Sequence, residues 1–291
     1  MGHVYQGEEM RYQTLQEAYE GTRHYLRYEG EIIATKSSKG DSYAAELLNQ
    51  SITIDDVYQI NIYNPMRKFN VNYALLEFMW YLSQDQNVRN IGKAASIWQD
   101  IASVNGNVHS NYGVCLYNGW NRVIDELVRF PESRRAVIAL NQPDIDYGMK
   151  DVPCTMFVQF FIRRGKLHLI WNMRSSDFVF GFCNDIAVGM LFLQMMYNEL
   201  QRHKECCDMQ QLELGSFTYN ATSLHCYEPH WNLLFDSYTN EVYDRYELRQ
   251  HLTWHHVIQN RLYLPSNDIT LETMWEMVDE FQEENFVGGK L

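Results

Sequence analysis

The chain has 291 residues, of which 46% are hydrophobic and 14% aromatic, enough apolar material to fill a large core and too much for a mainly disordered chain. A formal net charge of -13 argues against a nucleic-acid polymer as partner, because such binding draws on many lysine and arginine contacts to phosphates. The start of the chain combines no basic residues with an apolar run, and no uncharged stretch is long enough to cross a bilayer, so the expectation is a cytoplasmic protein with no membrane partner.

With no repeat, low-complexity tract or linker, the simplest organisation is one domain over residues 1–291. In chain order, "TKSSKGDS" with Lys36 and Lys39 reads as a flexible surface loop, and "SITIDDVYQINIYNP" as a strand. "FNVNYALLEFMWYLSQD" has apolar residues on three sides of a helix, which suits a buried one. "TMFVQFFI" and "LHLIWNM", joined by "RRGK", read as a long hairpin whose basic turn is a solvated face. A strand-like "SSDFVFG" follows, then "DIAVGMLFLQMMYNELQ", a second core helix whose methionines are packing, and "LELGSFTYNATSLHCYE", a further strand. The sum is an α+β fold, one substantial sheet against buried helices.

Six cysteines, at 115, 154, 183, 206, 207 and 226, are few for this length and lie mostly in apolar or strand-like segments, so a secreted disulfide framework is not expected. One of them, Cys154 after Pro153, sits among phosphate-binding chemistry: Arg134 and Arg135 upstream in "ESRRAVIAL", and Arg174, Ser175 and Asp177 downstream in "RSSD". Guanidinium forks and hydroxyls are what a phosphomonoester needs. The run "HKECC", His203 to Cys207, lacks a second ligand pair at regular spacing, so no metal is expected.

An ordered series of motifs, "NPMRKFNVNYALLEFMWYLSQDQN", "IWQD", Tyr112 in "YG", "SRR", Cys154 in "PC", Gln159 in "QF", "RSSDFVFGFCNDIA" and "HCY" from His225 to Tyr227, resembles the thymidylate synthase family over roughly residues 60 to 230. The resemblance implies an enzyme on a thymidylate synthase-like fold, one large mixed sheet packed on buried helices, with a homodimer formed through the sheet. It implies a pyrimidine nucleoside monophosphate as substrate and 5,10-methylenetetrahydrofolate as co-substrate. Cys154 is then the nucleophile that adds to C6 of the base, with nearby arginine charge favouring its thiolate. Glu77 organises water and protons, and Tyr112 helps remove the C5 proton. Arg174 and Ser175 hold the phosphate, with Arg134 and Arg135 arriving from the partner subunit. Trp98 and Asp177 meet the folate, and His225 and Tyr227 hold the sugar hydroxyl.

Three positions depart from the family pattern. Thr155 follows the nucleophile where a histidine is common, Ser223 stands where an aspartate is usual, and Asp185 occupies the place of the asparagine that reads uracil. A carboxyl at that place accepts from the 4-amino group of cytosine and shares a proton with N3, the pattern of the deoxycytidylate hydroxymethylases. A one-residue slip would put Asn184 there instead and restore uracil. Thymidylate synthesis, hydroxymethylation of dUMP or of the ribonucleotide CMP, and a non-catalytic nucleotide-binding role stay open on sequence grounds.

Overall fold

A computed structural model of the protein describes residues 9–37, 40–141, 150–203, 209, 211–235 and 275–280. At its centre runs the long strand β8 (Glu213–Tyr227). The other strands of the sheet are β1 (Glu9–Tyr12), β2 (Glu31–Ser37), β3 (Gly40–Ile54), β4 (Val137–Ala139), β5 (Thr155–Arg163), β6 (Lys166–Met173) and the two-residue β7 (Ser176–Asp177). Their order is β1-β3-β8-β6-β5-β4, with β2 added to β3 and β7 to β8. The sheet is mixed: β8 runs antiparallel to β3 but parallel to β6 and β7.

The β5–β6 hairpin forms where the sequence places it. Arg164 (φ 53°) and Gly165 (φ 73°) are both left-handed, the requirement of the two-residue turn that matches strand twist. Along β5, Val158, Phe160 and Ile162 are buried, whereas Phe157, Gln159 and Phe161 point the other way. Their cross-strand partners Asn172, Ile170 and His168 share that outer face.

On the inner face lie α1 (Leu15–Glu29), α2 (Val71–Ser83), α5 (Gly113–Arg129) and α6 (Gly181–Gln201), with short helices α3 (Ile91–Ala94), α4 (Ile97–Ile101) and α7 (Asn232–Phe235) at the margins. The core helices α2 and α6 are buried on most sides, as their all-round apolar pattern requires, and Phe78 packs edge-on against Phe192 between them at 5.0 Å. Met190, Met195 and Met196 are wholly buried packing residues. No helix among the described residues is long and apolar enough to cross a membrane.

Three sequence expectations change. "TKSSKGDS" belongs largely to strands, since β2 and β3 pair antiparallel up to Ser37 opposite Gly40; Lys39 lies outside the described residues. The strand expected at residues 51–65 ends at Ile54, because Asp55 takes a two-point ion pair with Arg11 and Asp56 Oδ1 accepts from Tyr58 N in a tight turn. "SSDFVFG" is extended only at Ser176–Asp177. There the Asp177 carboxylate accepts from the Val179 and Phe180 N–H groups and turns the chain into α6.

Candidate active site

Helical spacing builds the floor of the site. Tyr73, Glu77 and Tyr81 recur every four residues on α2 and so share one face. Tyr81 Oη donates to Glu77 Oε1 at 2.7 Å, Tyr73 also hydrogen-bonds Glu77, and Trp98 Nε1 donates to Tyr73 Oη at 2.8 Å. Glu77 is only 5% exposed. Burial pushes its carboxyl up to about 7, and the two phenols pull the other way.

Cys154 is held just before β5 by backbone bonds rather than by its thiol. Tyr112, at the start of α5, accepts from Cys154 N and Thr155 N, both at 3.2 Å, so its own hydroxyl proton is not spent on either bond. Its ring lies 5.4 Å from that of Tyr81. Buried Asp151 anchors the approach by accepting from His109 N, Ser110 N and Ser110 Oγ. Arg174 donates to the carbonyls of Val152 and Pro153 and lies 3.6 Å from Cys154 Sγ. The expected thiolate does not follow in the free protein: burial pushes the thiol up, Arg174 pulls it down, and the carboxyls of Asp185 and Asp151 push it up again. Thr155, in the place of the family's histidine, is buried in the core, where Trp171 Nε1 donates to its hydroxyl and the hydroxyl in turn contacts Met173 Sδ.

Asp185 stands in the first turns of α6, facing this cluster. Its Oδ2 accepts from Tyr219 Oη at 3.0 Å, and Tyr219 Oη lies 2.9 Å from Ser176 Oγ. Burial pushes Asp185 up to about 8; the charge of Glu77 adds to this and the Tyr219 bond opposes it. The carboxyl's own charge acts on Cys154, Tyr112 and Tyr81. Asn184 lies one position round the helix, its backbone N donating to Phe180 O.

Around this centre sit the other expected residues. His225 is 6% exposed, its ring edge-on to Tyr227 at 4.8 Å. Ser223 Oγ donates to Glu46 Oε1 and lies 3.4 Å from His225 Nδ1. Glu46 faces His225 in register on β3, so the carboxylate missing at position 223 returns from the neighbouring strand. Asp177 pairs beside His225, and half-buried Trp98 packs on Trp80 at 4.7 Å. Ser175 is half-buried next to Arg174. Arg134 and Arg135 are different: both are exposed at the sheet edge, where Gln159 Nε2 donates to the Arg134 carbonyl. Sequence reasoning missed Tyr73, Tyr81, Tyr219, Ser176, Glu46 and Asp151. Only Tyr73 and Tyr81 carried a signal, their spacing about Glu77. Among the described residues no cluster of His, Cys, Asp or Glu could hold a metal ion; residues 204–208, most of "HKECC", lie outside them. Cys115, Cys154, Cys183 and Cys226 are not in disulfides.

Residues 62–274 match the family model for thymidylate synthase. The chain belongs to the thymidylate synthase family. Among its relatives are the deoxycytidylate 5-hydroxymethyltransferases of Enterobacteria phages T4 and T6, each 32% identical over 200 residues, or 65% of this chain and 78% of theirs. The thermostable thymidylate synthase A from Bacillus subtilis shares the fold, with a TM-score of 0.61 at 20% identity over 76% of this chain and 83% of that one. Enzymes of the thymidylate synthase family use methylenetetrahydrofolate and act on pyrimidine nucleoside monophosphates, and this chain is such an enzyme, transferring a one-carbon unit to a pyrimidine nucleotide.

Proposed function

We propose that the enzyme transfers the one-carbon unit to C5 of a cytidine monophosphate, dCMP, and releases 5-hydroxymethyl-dCMP and tetrahydrofolate. The observation that carries this reading is the carboxyl of Asp185, buried against Glu77 and close enough to Cys154 and Tyr112 to act on both electrostatically. With a value pushed up to about 8 it holds its proton at neutral pH, so it can donate to N3 while its carbonyl oxygen accepts from the 4-amino group. Uracil reverses both partners at that edge. The two phage relatives are named for the same substrate and product.

In this reading the Cys154 thiolate adds to C6, and phosphate charge is met by Arg174 and Ser175. Two copies pair through the outer face of the sheet, where Phe157, Phe161 and Ile170 alternate with Gln159 and Asn172, and each supplies Arg134 and Arg135 to the other's site. Exposure of both arginines beside Gln159 supports that placement. His225 and Tyr227 hold the sugar hydroxyl. Asp177 and Trp98 fit a folate wall, Trp98 through its half-buried ring and Asp177 through a carboxyl that burial pushes up and that accepts from the Val179 and Phe180 N–H groups. When bound, methylenetetrahydrofolate supplies the one-carbon unit. Tyr112, with a hydroxyl proton uncommitted to the Cys154 and Thr155 amides, and Glu77, poised near neutrality, move the C5 proton and the final water. One catalytic domain spans residues 1–291.

The test is kcat/KM for dCMP and dUMP, with product mass, in the wild type, Asp185→Asn and Asn184→Asp. The wild type should prefer dCMP and yield the hydroxymethyl nucleotide without dihydrofolate. Asp185→Asn should move the preference toward dUMP by roughly ten- to a hundredfold, since each misplaced buried partner costs about 1–3 kcal/mol. Asn184→Asp should move it far less. Control of the ratio by residue 184, or a methylated product, overturns the assignment.

A further inference from the structure

Addition of a thiolate to C6 of cytosine is a conjugate addition. As Sγ bonds C6, the C5–C6 π pair becomes C4–C5 and the C4–N3 π pair ends on N3, which takes a proton to give a neutral enamine reactive at C5. If Asp185 is the donor, its O–H bond breaks as N3–H forms, and a carboxylate is left in an apolar site beside Glu77. An unassisted carboxylate there is costly.

Tyr219 is placed to offset that cost. Its hydroxyl is 3.0 Å from Asp185 Oδ2 and 2.9 Å from Ser176 Oγ, and all of it is buried: Tyr219 is 0% and Ser176 2% exposed. Tyr219 Oη is the donor in both contacts, and a phenol has one proton, so Ser176 Oγ and Asp185 Oδ2 share it and the ionised carboxyl draws it to Oδ2. β-sheet geometry holds the two hydroxyls in place, since Tyr219 pairs with Trp171 on β6 and Ile52 on β3, and Ser176 pairs with Leu224 on the same strand as Tyr219. A hydrogen bond to a carboxylate is about twice as strong as one to a neutral carboxyl, so this contact strengthens as the proton leaves. Glu77 has its own phenols, Tyr73 and Tyr81. Tyr219 is therefore Asp185's partner in the cluster.

We propose that Tyr219, whose hydroxyl is shared between Ser176 and Asp185, is a positioning residue for the proton step: it stabilises the Asp185 carboxylate formed when the carboxyl passes its proton to N3 of the base. This rests on the reading that Asp185 meets the base edge. The same bond fixes Oδ2 as an acceptor.

The experiment measures kcat, KM and the pH profile for dCMP in the wild type, Tyr219→Phe, Ser176→Ala, Asp185→Asn and the Asp185→Asn/Tyr219→Phe pair. Tyr219→Phe should lower kcat by roughly tenfold, about 1.4 kcal/mol, with KM little changed. It should also move the alkaline limb of the profile upward, because the carboxyl becomes a weaker acid while activity requires it protonated. Ser176→Ala, which removes the competing acceptor, should leave kcat no lower and move the alkaline limb slightly downward, and carries the test alone if Tyr219→Phe does not fold. In the Asp185→Asn background, loss of the Tyr219 hydroxyl should cost less than about twofold, since no carboxylate forms. Equal cost in both backgrounds, or an alkaline limb that stays in place in Tyr219→Phe and Ser176→Ala, overturns the role of Tyr219. Failure of the underlying reading looks different: the dCMP to dUMP ratio would then be unchanged by Asp185→Asn.

Discussion

Glu77 and Asp185 are two acids that the fold keeps away from water and near each other. Their values of about 7 and about 8 stand above the unperturbed 4.5 and 3.8, so the native state binds these protons more tightly than the unfolded chain. Their contribution to stability is therefore complete below the unperturbed values and is lost as pH rises through about 7 and about 8. Thermal melts from pH 5 to pH 9 should show the wild type losing Tm relative to the Glu77→Gln/Asp185→Asn variant, by a few degrees at the alkaline end. Parallel pH dependence in the two proteins would refute the burial of these carboxyls. The types and order of Cys154, Glu77 and Asp185 marked them as candidates in the sequence, and the fold brings them together. Tyr219 and Ser176 were not marked, as a tyrosine and a serine in strands read as ordinary packing until the sheet sets them 2.9 Å apart.

The site is spread over elements that must approach closely. At Gly113, the first residue of α5, an added Cβ would sit 1.6 Å from the carbonyl oxygen of Tyr81 on α2. That neighbour is backbone and cannot step aside as a side chain can. Gly113→Ala should therefore destabilise by about 1–3 kcal/mol in urea unfolding. It should also lower kcat, because the helix start carries Tyr112 away from Tyr81 and from the Cys154 amides. Unchanged stability and turnover would mean the two helices have slack. Elements with a strong period were readable: α2, α6, the β5–β6 hairpin and β8. Elements cut short by local side-chain bonds were not. "SSDFVFG" has the composition of a strand, but two carboxylate bonds from Asp177 outcompete ladder pairing after two residues.

For the molecule as a whole, the decisive feature is that Arg134 and Arg135 lie on the exposed sheet edge while Cys154 and Arg174 lie together at the β5–β6 end. If two copies share their sites, an Arg135→Ala chain and a Cys154→Ser chain, each inactive alone, should recover activity on mixing. Random exchange places one intact site in each heterodimer, so recovery should approach about a quarter of the wild-type rate. No recovery after exchange has been verified by mass would count against arginines acting in trans.

What the sequence determined by itself was composition and order: a large-core α+β chain, two buried helices, a central hairpin, and a motif series that marks a candidate nucleophile, acid and phosphate ligands. These are local or collinear properties, readable because hydrophobic period and residue type survive without coordinates. Tertiary structure alone decided the relations between strands and helices distant in the chain. It returned a carboxylate to His225 through Glu46, 179 positions away, and raised the Cys154 thiol against the pull of Arg174. It also joined Asp185 to Tyr219 and Ser176. The reason is physical: burial and hydrogen-bond geometry depend on which segments share a neighbourhood, and long-range pairing across β3, β8 and β6 sets that neighbourhood.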